Sequence, residues 1–385
     1  MRRRLLTVAL VALVAGSAAG CTSDEPGPGE ARLVPDGVVE VAEPGAGWQR
    51  ATGSRTVPAG TRVRVVRGTA HLELSGDRRL DLREDSRVRV GAVPGLLAGD
   101  LLVTAAGDED VVVEADRTRV RLGDGAARLS RSLALTVAVY QGGGAGLDSV
   151  GRELTVPALR QAVVPAPGLL PLRPSPLRYE ESDAWDRRFL GEAIDLGREL
   201  VAKSRGFTGQ LRAGEGRTAG FYRLLLPALE DEASFGPALV DVELEDTGRS
   251  PGELLVGAAI AVAGEKGTFA PRWEAVFAFR DAGAEWGLVA LDQGVDRSPL
   301  VAAVDAAIGR ASGGFVLGTP GGTPAGPSPT TTTGPEPSPP GPGPSPATTT
   351  TVPPTTTTTT PPPVTLPPVD PVVDVVDDIV GSLIP

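Results

Sequence analysis

The stretch 61-TRVRVVRGTAHLEL-74 decides how the chain is read. Val63 and Val65, then Ala70, Leu72 and Leu74, alternate with arginine, histidine and glutamate. Successive side chains of an extended strand point to opposite faces, so this spacing predicts a strand with one buried side and one wet side. The alternation returns in "RRLDL" (78–82), "SRVRV" (86–90) and "TRVRLG" (118–123). The apolar runs "DLLVTA" (100–105), "DVVVEA" (110–115), "LALTVAVYQGG" (133–143) and "RELTVPALRQAVV" (152–164) continue the series. Gly68, Gly99, Gly123, Gly125 and the glycines from Gly142 to Gly146 stand where turns are needed. Many short strands with turn signals between them predict an all-β sandwich, barrel or stacked-hairpin unit over residues 45–165.

The chain opens "MRRRLLTVALVALVAGSAAGC". Arg2, Arg3 and Arg4 form a basic start, Leu5–Ala15 an apolar stretch too short to span, and Ala18-Ala19-Gly20 supply small residues before Cys21. That is the layout of a secretory leader over residues 1–20. Cys21 is the only cysteine. Its place resembles the bacterial lipobox, with Ala18 where that motif usually has leucine. The resemblance implies lipidation at Cys21 and anchoring on the outer face of the cell membrane. Residues 21–44 read as a polar tether. Removing the leader leaves 34 basic against 48 acidic residues, a charge of about −14. Such a balance argues against nucleic acid as a partner and gives no electrostatic help on anionic lipid. The membrane partner is therefore expected through the N-terminal lipid.

The succession "VRVVRGTAHLEL", "LDLREDSRVRV", "LLAGDLLV" and "LTVAVYQGGGAGLDSVGRELTVPALRQAVV" resembles the FecR family over roughly residues 57–165. Membership implies an extracytoplasmic, non-enzymatic β-domain used for sensing or assembly at the envelope. Regulatory members relay a signal to a sigma factor through a cytoplasmic segment. This chain departs from that plan, because its N-terminus reads as an export signal.

"PAPGLLPLRPSPLRY" (165–179) is proline-dense, and residues 166–179 read as a linker. Residues 180–315 predict a second, mainly helical α+β domain. Ser182 is the expected N-cap of its first helix, with Asp183 in the first turn. Trp185, Phe189, Ala193, Leu196 and Leu200 make one apolar stripe, and Gly206 an end. Pro227 interrupts the helical run "FYRLLLPALEDEA". "SPGE" (250–253) is a capping box, Ser250 with Glu253, and opens a helix running to Gly264. "RWEAVFAFR" (272–280) alternates Trp273, Ala275, Phe277 and Phe279, and "EWGLVAL" (285–291) follows a glycine turn. Together they predict one small hairpin. "SPLVAAVDAAIG" (298–309) closes the domain as a helix.

Residues 316–368 are proline- and threonine-rich and cannot bury a core. They predict a disordered arm that reaches on the order of 150 Å. Beyond it, in residues 369–385, Val372, Val373, Val376, Ile379, Val380, Leu383 and Ile384 fall on one helical stripe, with Asp374, Asp377 and Asp378 opposite. So short a helix needs a surface, and a hydrophobic groove is expected, on an envelope protein partner or on this chain's own α+β domain.

No residue cluster compels a reaction. His71 is the only histidine, on the polar side of its strand, and no G-x-S-x-G elbow occurs. Zinc or copper sites of the His/Cys type are therefore not expected, and no cofactor is implied. The carboxylates Glu109-Asp110, Glu180-Glu181 with Asp183, Glu230-Asp231-Glu232 and Glu243 with Glu245-Asp246 read as solvated surface. "QGGGAG" (141–146) lacks the lysine of a phosphate loop. The expectation is a non-enzymatic envelope sensor or scaffold. A solute- or glycan-binding protein with an interdomain cleft is the alternative, and a carboxylate-based wall-polymer hydrolase the third.

Overall fold

The structure, a computed structural model, describes residues 26–312 apart from 108, 213–215, 217 and 245–247. Contacts divide the chain into two units, Met1–Leu317 and Gly318–Pro385, and every described residue belongs to the first. The leader, Cys21, the proline–threonine arm and the C-terminal stripe all lie outside the described residues.

The first strand corrects the expected tether of residues 21–44. β1 (Ala31–Ala42) buries Ala31, Leu33, Val39 and Val41. Its alternation of buried and open residues is interrupted at "VPDG" (34–37), yet the strand continues through it. β2 (Gln49–Arg50) and β3 (Arg55–Val57) pair along one edge of β1, and β4 (Arg62–Leu74) pairs along the whole of the other. At the bend Gly37 faces Gly68, both at positive φ (123° and 90°). A Cβ on either glycine would lie 2.3 Å from the other strand's carbonyl oxygen, of Arg67 or of Asp36. Only glycine allows both the backbone angle and that approach.

The bend lets β4 pair two strands in succession, β5 (Arg78–Arg83) with its second half and β6 (Arg87–Arg89) with its first. β7 (Gly95–Ala105) pairs both in turn and then forks the sheet. From its start the path runs through β8 (Val111–Ala115) and β9 (Thr118–Leu122). Its second half pairs β10 (Gly125–Arg131), which pairs β11 (Leu135–Gly142). β12 (Ala145–Ser149) and β13 (Arg152–Val156) extend the β9 branch, and β14 (Arg160–Val164) and β15 (Ser175–Pro176) extend the β11 branch. Apolar side chains of both branches, Leu72, Leu80, Val88, Leu101, Val113, Val120, Leu129 and Val137 among them, form one core. The sequence expectation of an all-β unit with alternate residues inside therefore holds.

The outer face of the β7–β10–β11 branch is not wet. Leu102, Ala126, Ala138 and Tyr140 belong to the same core as the helices. Leu170 and Leu177 of the proline-rich stretch are buried, and β15 pairs within it, so residues 166–179 are a packed arm rather than a free linker. Strands and helices thus lie within one compact unit.

The helices are α1 (Ala184–Gln210), α2 (Ala219–Leu225), α3 (Phe235–Leu244), α4 (Pro251–Ala263), α5 (Phe269–Asp281), α6 (Trp286–Asp292) and α7 (Arg297–Ser312). Four details differ from the sequence reading. Asp183, not Ser182, is the N-cap of α1, and α1 runs through Gly206 to Gln210. α7 likewise begins at Arg297 and continues past Gly309. The expected hairpin is instead the helix pair α5 and α6. Phe269, Trp273, Val276 and Phe277 are buried at helical spacing, and the period-two reading had used Ala275 while passing over Phe269 and Val276. Short apolar runs fit both periods until a partner surface selects one. The capping box forms as read, with Ser250 and Glu253 bonding reciprocally.

Candidate functional site

A cluster of buried and half-buried charge lies where α1 meets the sheet. β5, β10 and β11 present Arg83, Arg128 and Tyr140 on their outer face, and the first turn of α1 brings Asp183 and Asp186 to them. Asp186 is completely buried. Its carboxylate accepts from Tyr140 Oη at 2.6 Å, from Arg128 Nη1 at 3.1 Å to each oxygen, and from the Glu180 backbone N–H at 2.8 Å. Asp183 caps the helix, accepting from the Trp185 and Asp186 N–H groups at 2.8 and 3.1 Å, and also accepts from Arg83 at 2.6 and 3.3 Å. The Arg83 guanidinium lies 3.5 Å from the centre of the Trp185 ring, and Phe189 stacks on Tyr140 at 4.8 Å. Arg160 makes a second fastening, over the Phe279 ring and 3.6 Å from Asp292.

The charges are arranged to be held, not used. Burial raises the Tyr140 hydroxyl well above its ordinary value, against the opposing field of Arg128, so it stays a protonated donor. Burial would also raise the Asp183 carboxyl, but the hydrogen bonds from Arg83 and the helix N–H groups outweigh it and hold the group below the usual carboxylate range. A depressed carboxylate adds stability above its unfolded value, near pH 4, and that stability is lost as pH falls through the lowered value. Thermal melts of the parent and Asp183→Asn between pH 2 and 7 should show the parent with the steeper acid limb. Equal limbs would remove Asp183 from the account.

Of the described carboxylates read as solvated surface, Asp183 is thus an exception, while the side chains of Glu243, Glu245 and Asp246 lie outside what the structure describes, and Arg83, Arg128, Tyr140 and Asp186 escaped sequence reasoning. The one local signal was the pair Asp183 and Asp186 at a helix start. His71 is half-buried with its Nε2 3.4 Å from Glu73. "QGGGAG" is the tight connection from β11 to β12, not the start of a helix. Among the described residues no group of three His, Cys, Asp or Glu could hold a metal ion, and no helix is long and apolar enough to cross a membrane. Cys21 and the stripe Val372, Val373, Val376, Ile379, Val380, Leu383 and Ile384 fall outside the described residues.

A forked, bent β-sheet backed by helices through a paired ion network defines the molecule as a mixed β and α body. No protein-family profile matches the chain, and no curated protein matches it. Among solved structures, two crystal structures from Parabacteroides distasonis, each described as a "putative anti-sigma factor", align at 13% identity with a TM-score of 0.28. The alignments cover 32% of this chain and 63% of that one, and 36% and 72% for the second. The chain therefore spans just under two thirds of the first of these proteins.

Proposed function

We propose that the protein is a lipid-anchored envelope lipoprotein that acts by binding another protein, a sensor or scaffold and not an enzyme. Its β-portion takes the part of a FecR-like domain. The observation that carries the binding reading is the junction itself. The buried ionisable side chains there are spent on one another, and the space between sheet and helices is filled by Leu102, Ala138, Tyr140 and Ile194. A sheet locked to its helices offers a fixed surface instead of a closing cleft.

The anchor is tested by replacing Cys21 with Ala and washing membranes in 0.5 M salt. The parent should stay with the membrane and take up a palmitate label, while Cys21→Ala should appear in the soluble extracytoplasmic fraction. A variant retained as firmly as the parent would end the lipoprotein reading. Crosslinking in intact cells should then give a discrete protein adduct.

A further inference from the structure

The outward face of β4 and β6 carries charge that the composition hides. β4 and β6 are in register with Arg62 opposite Arg89 and Arg64 opposite Arg87. Both arginine pairs point outward, since Val63 and Val88 between them are buried. Like charges directly opposite across a ladder are destabilising, so the fold keeps this arrangement at a cost. Arg50 extends the patch through β2, opposite Glu40. Glu40 pairs with Arg64, and Glu114 lies 3.8 Å from Arg89. Arg50, Arg62 and Arg87 have no carboxylate within 4 Å among the described residues. Trp48 lies half-buried beside them, its ring 4.4 Å from the Arg64 guanidinium and 5.4 Å from that of Arg62.

We propose that this arginine–tryptophan face docks on anionic phospholipid headgroups and lays the sheet against the membrane. Guanidinium groups pair phosphate in a fork, and an indole suits the boundary between headgroups and acyl chains. The arginines stand across β2, β4 and β6 on one outward sheet face, with β1 carrying Glu40 between β2 and β4, an arrangement that fits a planar array of phosphates. The overall negative charge does not oppose this at contact. Screening confines exposed charges to about 8–10 Å at physiological salt, so the face acts by its own five arginines and two glutamates. The proposal rests on the lipoprotein reading for its membrane. Cys21 precedes β1 by ten residues, and at most about 3.6 Å per residue this keeps the sheet within tens of ångströms of the lipid.

The test uses the chain from residue 22 onward, which carries no leader and no acyl chain, so its outcome is separate from that of Cys21→Ala. Sedimentation with vesicles of phosphatidylglycerol and phosphatidylcholine (1:1) in 50 mM salt should show binding at least about tenfold tighter than to pure phosphatidylcholine. It should vanish in 0.5 M salt. Arg62→Ser with Arg87→Ser should weaken it by about 25-fold, at about fivefold per arginine. Removing one member of each opposed pair should leave the melting temperature unchanged or higher, which verifies the fold of the variant. Absence of vesicle binding, equal binding to neutral vesicles, or binding untouched by the double variant would each overturn the proposal. So would binding to soluble polyglutamate without binding to vesicles, which would assign the face to an acidic protein.

Discussion

Asp186→Ala is expected to remove about 3–5 kcal/mol of stability, the cost of leaving a buried charge without its partner. The carboxylate satisfies the Arg128 guanidinium, the Tyr140 hydroxyl and the Glu180 N–H at once. Alanine keeps the helix but takes the acceptor from all three, and Arg128 keeps only the Arg178 carbonyl at 3.3 Å and Asp183 at 4.0 Å. For a body of this size the melting temperature should fall by on the order of 10 °C. The charge itself is not what the fold requires. Asp186→Leu combined with Arg128→Met should recover most of the loss, because apolar replacement of a whole buried pair is often neutral. Urea unfolding of the three chains decides it. If Asp186→Ala costs less than about 1 kcal/mol, the junction is not what holds sheet to helices.

Gly287→Ala should be comparably damaging, by about 3 kcal/mol or more, although alanine is the better helix former by up to about 1 kcal/mol. A Cβ at Gly287 would lie 1.7 Å from the Ala193 carbonyl oxygen and 2.9 Å from the Gly197 nitrogen of α1. The obstacle is backbone, which no rotamer change relieves, so α6 would have to move away from α1. Gly206→Ala is the internal control. It lies on the exposed side of α1 with nothing within 4 Å of a new Cβ, and there propensity should win by about 0.5–1 kcal/mol. Opposite signs in paired thermal melts are the expected result. Stabilisation at both positions would mean that α1 and α6 do not cross at this distance.

What could be read in advance was whatever depends on neighbours in the chain. Val63, Val65 and Leu72 announce a strand by alternation, Ser250 and Glu253 a helix start by hydrogen bonds three residues apart, and Pro227 a break by its missing N–H. Each was placed correctly, and Pro227 indeed begins a 3₁₀ turn, Pro227–Leu229, after α2. The misreadings have one cause. Residues 31–42 read as part of a polar tether until β4 is seen to pair them, and Phe277 fits either period until α4 supplies Gly257 against its ring. The junction was invisible for the same reason. Arg83 and Asp183 are 100 residues apart, and an arginine on the outer side of a strand reads as solvated unless a helix is known to cover it. The basic face was hidden by averaging, since Arg50, Arg62 and Arg87 gather only when β2, β1, β4 and β6 are laid in order.

The double duty of Asp183 also sets an order of assembly. Its bonds to the Trp185 and Asp186 N–H groups span two and three residues and form on the microsecond scale of a helix start. Its bond to Arg83 must wait until β5 has found β4 and β7, and pairing of distant strands is the slow event, in milliseconds to seconds. The helix is therefore nucleated early and captured late. The barrier belongs to the sheet, and the junction closes after it. Loss of a junction side chain would then leave the folding rate nearly unchanged and appear as faster unfolding, so these ion pairs govern how long the native body lasts once made.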